Sequence, residues 1–419
     1  MVYYIDEIMG RGKTSAMINY INACEEDRRF LFITPLLGED ERICKACASK
    51  NFQQPSSDGM PKREDIKRLV AEGANIASTH SLFSRLDDET LHMLEQQHYT
   101  LIMDETVCVI SAFDISPFDA NTITKKYTET NEEGFLEWTE REYDGRFNEY
   151  KLRIDAGGIM AYNDYHWVQV MTPRTFKSFQ DVFIMTYLFQ DQIIRCYLDM
   201  NRIPYKRLYV NGNSPENYTI SDRYEPAPVQ DFRGLLHILD HKKLNAIGDD
   251  YYALSKSWYR KHNTPASIKK LKNNTYNFFK NIMRTSGRSN IWTSFKDEWV
   301  GNGWNGRGDL YIKWKDMLSD PLYKAGFVPC TAKGTNEYKH KTSLAYLINV
   351  FPNTNVLSFL SANGVPLNRD RYALSEMIQW IWRSAIRDRK EVTLYIPSRR
   401  MRTLLTDWMN EVCGGGEKT

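Results

Sequence analysis

The stretch YYIDEIMGRGKTSAM, residues 3–17, decides how the rest of the chain is read. Val2 to Ile5 is a short apolar run with the length of a buried strand. Met17, Ile18 and Ile21 carry helical spacing across residues 14–23. Between them lies a glycine-bearing turn, Gly10-Arg11-Gly12-Lys13-Thr14-Ser15. Strand, glycine turn and helix in that order are the setting of a P-loop, whose backbone N–H groups converge with the helix N-terminus on phosphate oxygens. Lys13 would add positive charge at the β- and γ-phosphates, and the Thr14 hydroxyl would ligate Mg²⁺. One position departs from the general G-x4-G-K-[ST] pattern, because Glu7 stands where a glycine is usual.

A second stretch, YTLIMDETVCVI at residues 99–110, runs an apolar strand into Asp104 and Glu105. Adjacent carboxylates at a strand end divide two tasks. Asp104 would organise the hydrated metal, and Glu105 would position and deprotonate water. Following a P-loop, the pair predicts an ATP hydrolase using Mg²⁺. RRFLFITPL (28–36) and ANIASTHSLF (74–83) read as further strands, ending in Thr34 and in Thr79-His80. Hydroxyl residues at the carboxyl ends of parallel strands face the ligand crevice and suit nucleic-acid phosphates. They equally suit turn and helix-cap chemistry.

The order of these motifs resembles the superfamily 2 helicases, whose loops often read A/G-x-x-G-x-G-K-T; residues 10–14 keep the last five of those positions. DVFIMTYLFQDQ (181–192) matches the family's third motif with Thr186, and the helix-then-strand pattern of 192–210 would close a first domain. SNIWTSFKD (289–297) stands at the fourth motif. Ala332-Lys333-Gly334-Thr335-Asn336 stands at the fifth, with Thr335 toward the strand and Asn336 toward the nucleotide. In ALSEMIQWIWRSAIRDRKEVTLYIP (373–397), Gln379, Arg383 and Arg387 fall four apart, the spacing of one helical face. The resemblance gives that helix, 374–389, the arginines that stabilise charge on the γ-phosphate; Arg387 lies one residue beyond the family's last arginine. The runs 335–351 and 373–387 are particularly similar to helicases carried by phages and prophages.

The resemblance implies an α/β fold with two RecA-like P-loop domains in tandem, residues 1–211 and 212–419. Each would be a mostly parallel sheet flanked by helices. Two insertions are expected: a β-hairpin at about 120–170, read from EYKLRID and HWVQVMT, and a basic-aromatic helical element at about 231–290. From Lys256 to Lys296 there are ten Lys/Arg and no Asp or Glu, interleaved with Trp258, Tyr259, Tyr276, Phe278, Phe279 and Trp292. Lysines and arginines neutralise backbone phosphates and aromatic faces stack unpaired bases, so Lys269, Lys270, Lys272 and Arg284 are candidate nucleic-acid contacts. By contrast, TETNEEGFLEWTEREYDG (128–145) is acidic.

The expected activity is an ATP-dependent translocase or helicase on DNA, single-stranded or forked, in phage or prophage replication or recombination. An ATP-driven remodeller or loader clamp that releases no strand is the alternative, ahead of a small-molecule P-loop kinase. Other classes are disfavoured. No apolar run approaches the roughly 20 residues that span a bilayer. Seven cysteines in 419 residues are too sparse for a disulfide scaffold, so a reducing cytoplasm is expected.

Overall fold

A computed structural model describes residues 1–225, 231–262, 265–295, 326–330 and 337–413. Thr335 and Asn336 lie outside the described residues, with the rest of 331–336. The chain forms two compact units: Met1–Glu225 with Pro352–Asn368, and Pro226–Phe351 with Arg369–Thr419.

The first unit is built on β1 (Val2–Asp6), β2 (Phe30–Thr34), β3 (Ile76–Thr79) and β4 (Thr100–Asp104). An inserted region then supplies β5 (Ile110–Ala112), β6 (Thr128–Thr130), β7 (Leu136–Trp138), β8 (Ile159–Asn163) and β9 (His166–Val170). The main sheet resumes with β10 (Asp181–Thr186), β11 (Tyr205–Asn211) and β12 (Thr219–Ser221). Among the described residues, seven strands pair in the order β12-β11-β1-β10-β4-β2-β3, parallel except for β12. Strands covered on both faces read as continuous apolar runs, and FLFIT of β2 is buried at every position.

The insertion is a small α/β layer with its own core. β5, β9 and β8 form one antiparallel sheet, β6 pairs with β7, and helices Pro117–Lys126 and Asn148–Asp155 flank them. Phe113, Ile123, Phe147, Ile154 and Trp167 fill its centre. A hairpin is formed by β8 and β9, but EYKLRID, expected as one of its arms, is helical rather than extended. Tyr150 and Ile154, one helical turn apart, pack on this core, while Leu152 remains 64% exposed.

The segment Pro352–Asn368 returns from the C-terminal half to this unit. Its helix Thr354–Ala362 places the Phe359 ring 6.5 Å from Tyr162, and the Pro366 carbonyl accepts from Arg195 at 3.4 Å. Where the segment leaves and re-enters the second unit, buried Arg400 holds both ends. It donates to the carbonyls of Val350 (2.8 Å) and Arg369 (3.2 Å), pairs with Asp370 (2.7 Å), and lies 4.2 Å from the Phe351 ring centroid.

The second unit carries β13 (Leu236–Ile238), β14 (Asn290–Thr293), β15 (Ser343–Tyr346) and β16 (Val392–Tyr395), all parallel in the order β13-β16-β15-β14. Helix Pro265–Asn277 and the π-helical turn Phe278–Ile282 lie across it. Tyr259, Phe278, Phe279 and Trp292 belong to its core, so four aromatics of the basic stretch are packing residues. Tyr276 is 47% exposed and stays on the surface with Lys269 and Lys270. Among the described residues, no helix is long and apolar enough to cross a membrane.

Candidate active site

Three neighbouring parallel strands of the first unit end at one level. In the register of β1, β10 and β4, Asp6 lies opposite Thr186 and Met185 lies opposite Asp104. The loop after β1 therefore emerges beside the Asp104-Glu105 turn, as ligand crevices in parallel sheets require.

Gly10 and Gly12 adopt φ of +83° and +89°, and Gly12 caps helix Lys13–Ala23. A Cβ on Gly12 would come within 2.3 Å of the Tyr218 ring, so both the conformation and the space demand glycine. The first turn of the helix carries no acidic side chain, which leaves its partial positive charge available to an anion. The Lys13 ammonium, on a side chain 7% exposed, donates to the carbonyls of Glu7 (2.5 Å) and Ile8 (3.4 Å). Glu7, out of place in the sequence pattern, thus contributes its backbone carbonyl to the lysine. Arg11 reaches the carbonyl of Gly212 at 3.5 Å.

Thr14 Oγ1 lies 3.4 Å from Asp104 Oδ2. Burial, reinforced by neighbouring Glu105, pushes the Asp104 carboxyl up to about 6, while Lys13 opposes the shift. Burial likewise raises Asp6 and Glu7, and it lowers Lys13 against the pull of Glu105, Asp104, Asp6 and Glu7. Four carboxylates crowded around one lysine suit a site that receives a divalent cation together with its anionic ligand. Thr14 and Asp104 offer the hard oxygens Mg²⁺ takes, and that ion completes its shell with water and phosphate rather than with a protein cage. Among the described residues there is no cluster of three or more His, Cys, Asp or Glu side chains placed to hold a metal ion.

Other expected site residues fall differently. Thr34 is fully buried, and its hydroxyl bonds Asp40 (2.5 Å) and the Leu36 carbonyl (2.8 Å), so it pins the turn after β2 instead of facing a nucleic-acid strand. Thr79 caps the short helix His80–Phe83 through the Leu82 N–H at 3.3 Å, and Thr79 and His80 are both partly exposed. Gln379, Arg383 and Arg387 do not share one helical face, because helix Arg369–Ile381 stops before the arginines. Ser384 is extended, its hydroxyl bonds the Ile381 carbonyl at 2.7 Å, and Ala385 N–H is drawn to the Lys341 carbonyl at 2.9 Å. Arg383 is 5% exposed, with Nη1 3.5 Å from the Pro329 carbonyl, whereas Arg387 is half-buried on a 3-10 turn. Lys269, Lys270 and Arg284 are exposed and Lys272 is half-buried.

Asp6, Gln192 and Tyr218 carry no motif signal, yet all three border the site. Asp6 accepts the N–H groups of Leu188 (2.7 Å) and Phe189 (3.2 Å), which ties the turn after β10 to the P-loop strand. Its place at the end of β1 is the signal that could have found it.

Two α/β units of mostly parallel sheet flanked by helices, the first with a glycine loop beside paired carboxylates, make up the fold. A solved XPD helicase structure aligns with 100% of this chain and 96% of its own, at TM-score 0.51 and 11% identity. A solved apo XPD structure aligns over 97% and 95% at TM-score 0.49 and 12% identity. Residues 230–409 match the YonV C-terminal Rossmann-like domain. The SPbeta prophage-derived uncharacterized protein YonV of Bacillus subtilis (strain 168) is 36% identical over 423 residues, spanning 97% of this chain and 98% of that protein. The chain belongs to the YonV family.

Proposed function

We propose that this protein is an ATP-driven motor on nucleic acid, a superfamily 2 translocase or helicase acting on DNA in phage or prophage replication or recombination. The observation that carries the reading is the convergence of Lys13, Thr14, Asp104 and Glu105 at the carboxyl ends of β1 and β4, the parallel strands on either side of β10. The helicase-type fold and the prophage relative support it.

In this reading the loop N–H groups and Lys13 hold the β- and γ-phosphates, and Thr14 and Asp104 hold Mg²⁺. The bound ion would neutralise charge that develops on the phosphate oxygens. Glu105 orients a water whose oxygen attacks the γ-phosphorus. The bond from that phosphorus to the bridging oxygen breaks, ADP leaves with the bond electrons, and the water proton passes to Glu105 and then to phosphate. Lys269, Lys270 and Arg284, with Tyr276 beside them in sequence, provide the nucleic-acid contacts.

ATP turnover measured in parallel with single-stranded DNA, duplex DNA and RNA tests the proposal, alongside release of a labelled strand from a forked duplex. Stimulation by single-stranded DNA together with strand release is expected. Stimulation without release would favour a remodeller, and no turnover under any condition would remove the motor reading.

A further inference from the structure

The turn after β10 holds a buried amide for which the hydrolytic scheme has no role. Gln192 is 5% exposed, and its Nε2 lies 2.7 Å from the Tyr187 carbonyl and 2.8 Å from Thr186 Oγ1. A backbone carbonyl can only accept, so the edge of the amide facing it is the NH2 group. The second N–H of that group then meets a lone pair of the Thr186 hydroxyl. A threonine oxygen that accepts from Gln192 must aim its own single proton elsewhere, and Glu105 Oε2 lies 3.4 Å away.

The surroundings hold this arrangement in place. Thr186 is fully buried, and its backbone carbonyl accepts the Glu7 N–H at 3.2 Å. Leu188 adopts φ +57°, and its N–H is held by Asp6. Glu105 itself sits at φ +65°, a conformation uncommon outside glycine, and its N–H donates to the Met185 carbonyl at 3.0 Å. The Glu105 backbone is thus fixed, and its carboxylate meets a hydroxyl whose donor direction is set by Gln192.

We propose that Gln192 is a positioning residue for hydrolysis: it occupies the acceptor side of the Thr186 hydroxyl and so fixes that hydroxyl as a donor to Glu105. The carboxylate is thereby held in the orientation that takes a proton from water. This inference rests on the reading of Glu105 as the residue that activates water. Removing an outer partner of this kind typically costs about 10- to 100-fold in activity.

The test is a double-mutant cycle on DNA-stimulated ATP turnover in the full chain, with Gln192→Met, Thr186→Val and the pair combined. Gln192→Met is expected to lower kcat about 10-fold or more, with KM for ATP changed less than about 2-fold. In the Thr186→Val background the same substitution should change kcat less than about 2-fold, because the path to Glu105 is already cut. Independent, multiplying losses would overturn the proposal, as would unchanged kcat in Gln192→Met. If Gln192→Met does not fold, Gln192→Ala serves. It too leaves the Thr186 hydroxyl without its donor and should reproduce the kcat loss, and wild-type kcat there would also overturn the proposal. A wild-type chain with no turnover would fail the functional reading itself, a result distinct from an active wild type with independent effects.

Discussion

The hydroxyl of Thr14 and the carboxylate of Asp104 are 90 residues apart in sequence and 3.4 Å apart in space. Thr14 is there because a glycine turn starts a helix at Lys13, and Asp104 because an apolar strand ends at that level of the sheet. If the two oxygens share one Mg²⁺, each substitution should weaken metal dependence without disturbing the fold. Asp104→Asn and Thr14→Ala are expected to raise the Mg²⁺ concentration for half-maximal turnover by at least roughly 10-fold, with thermal midpoints near wild type. Unchanged Mg²⁺ titrations would separate this pair from the metal.

Gly12→Ala should be far more disruptive than its size suggests. The added Cβ meets the Tyr218 ring at 2.3 Å, and the backbone stays at φ +89°. Tyr218→Ala would relieve the overlap but not the φ strain of roughly 1–2 kcal/mol. The double variant is therefore expected to regain part of the lost stability and to remain below wild type. Full recovery in urea unfolding would show that steric overlap alone demands the glycine.

A pH effect on stability follows from Asp40. Thr34 has one proton and two acceptor atoms, Asp40 Oδ1 and the Leu36 carbonyl, so a protonated Asp40 completes the set by donating to Thr34. Burial pushes this carboxyl up to about 6 from an ordinary 3.8, against the Thr34 hydrogen bond. The folded state thus binds the proton more tightly than the unfolded chain. Stability falls as pH rises from about 4 to about 6, then levels off. Asp40→Asn avoids ionisation and should exceed wild type by on the order of 2–3 kcal/mol at pH 7, an advantage that vanishes near pH 4. Urea unfolding at both pH values checks it, and a pH-independent difference would refute it.

How much of this is legible in the sequence depends on whether local pattern and tertiary packing agree. Strands β2, β4 and β10 are buried in a parallel sheet, with β1 partly buried beside β10, and such strands announce themselves as apolar runs; the glycine loop after β1 and the Asp104-Glu105 turn are readable for that reason. The helix Asn148–Asp155 is not, because Tyr150, Leu152 and Ile154 alternate like a strand although Leu152 faces outward. Arg383 and Arg387 look like neighbours on a helix only if that helix continues past Ile381. A hydrogen bond from Ala385 to Lys341, remote in sequence, ends it. The return of Pro352–Asn368 to the first unit leaves no trace, since amphipathic pattern does not say which sheet a helix will cover.

The exposed lysines make a separate, electrostatic prediction. Lys269→Ala with Lys270→Ala should weaken single-strand binding and reduce the slope of log affinity against log salt by about 0.7 for each phosphate no longer neutralised. Tyr276→Ala should weaken binding at every salt concentration with the slope unchanged, because stacking releases no counterions. Fluorescence titrations at several salt concentrations distinguish the two, and identical slopes for all variants would move the nucleic-acid surface off this helix.

The role given to Glu105 admits the most direct trial. Phosphate release from Mg-ATP, with single-stranded DNA present, should drop at least roughly 100-fold in Glu105→Gln while affinity for the nucleotide stays within a few-fold of wild type. Turnover in that variant equal to wild type, at intact nucleotide affinity, would contradict the account.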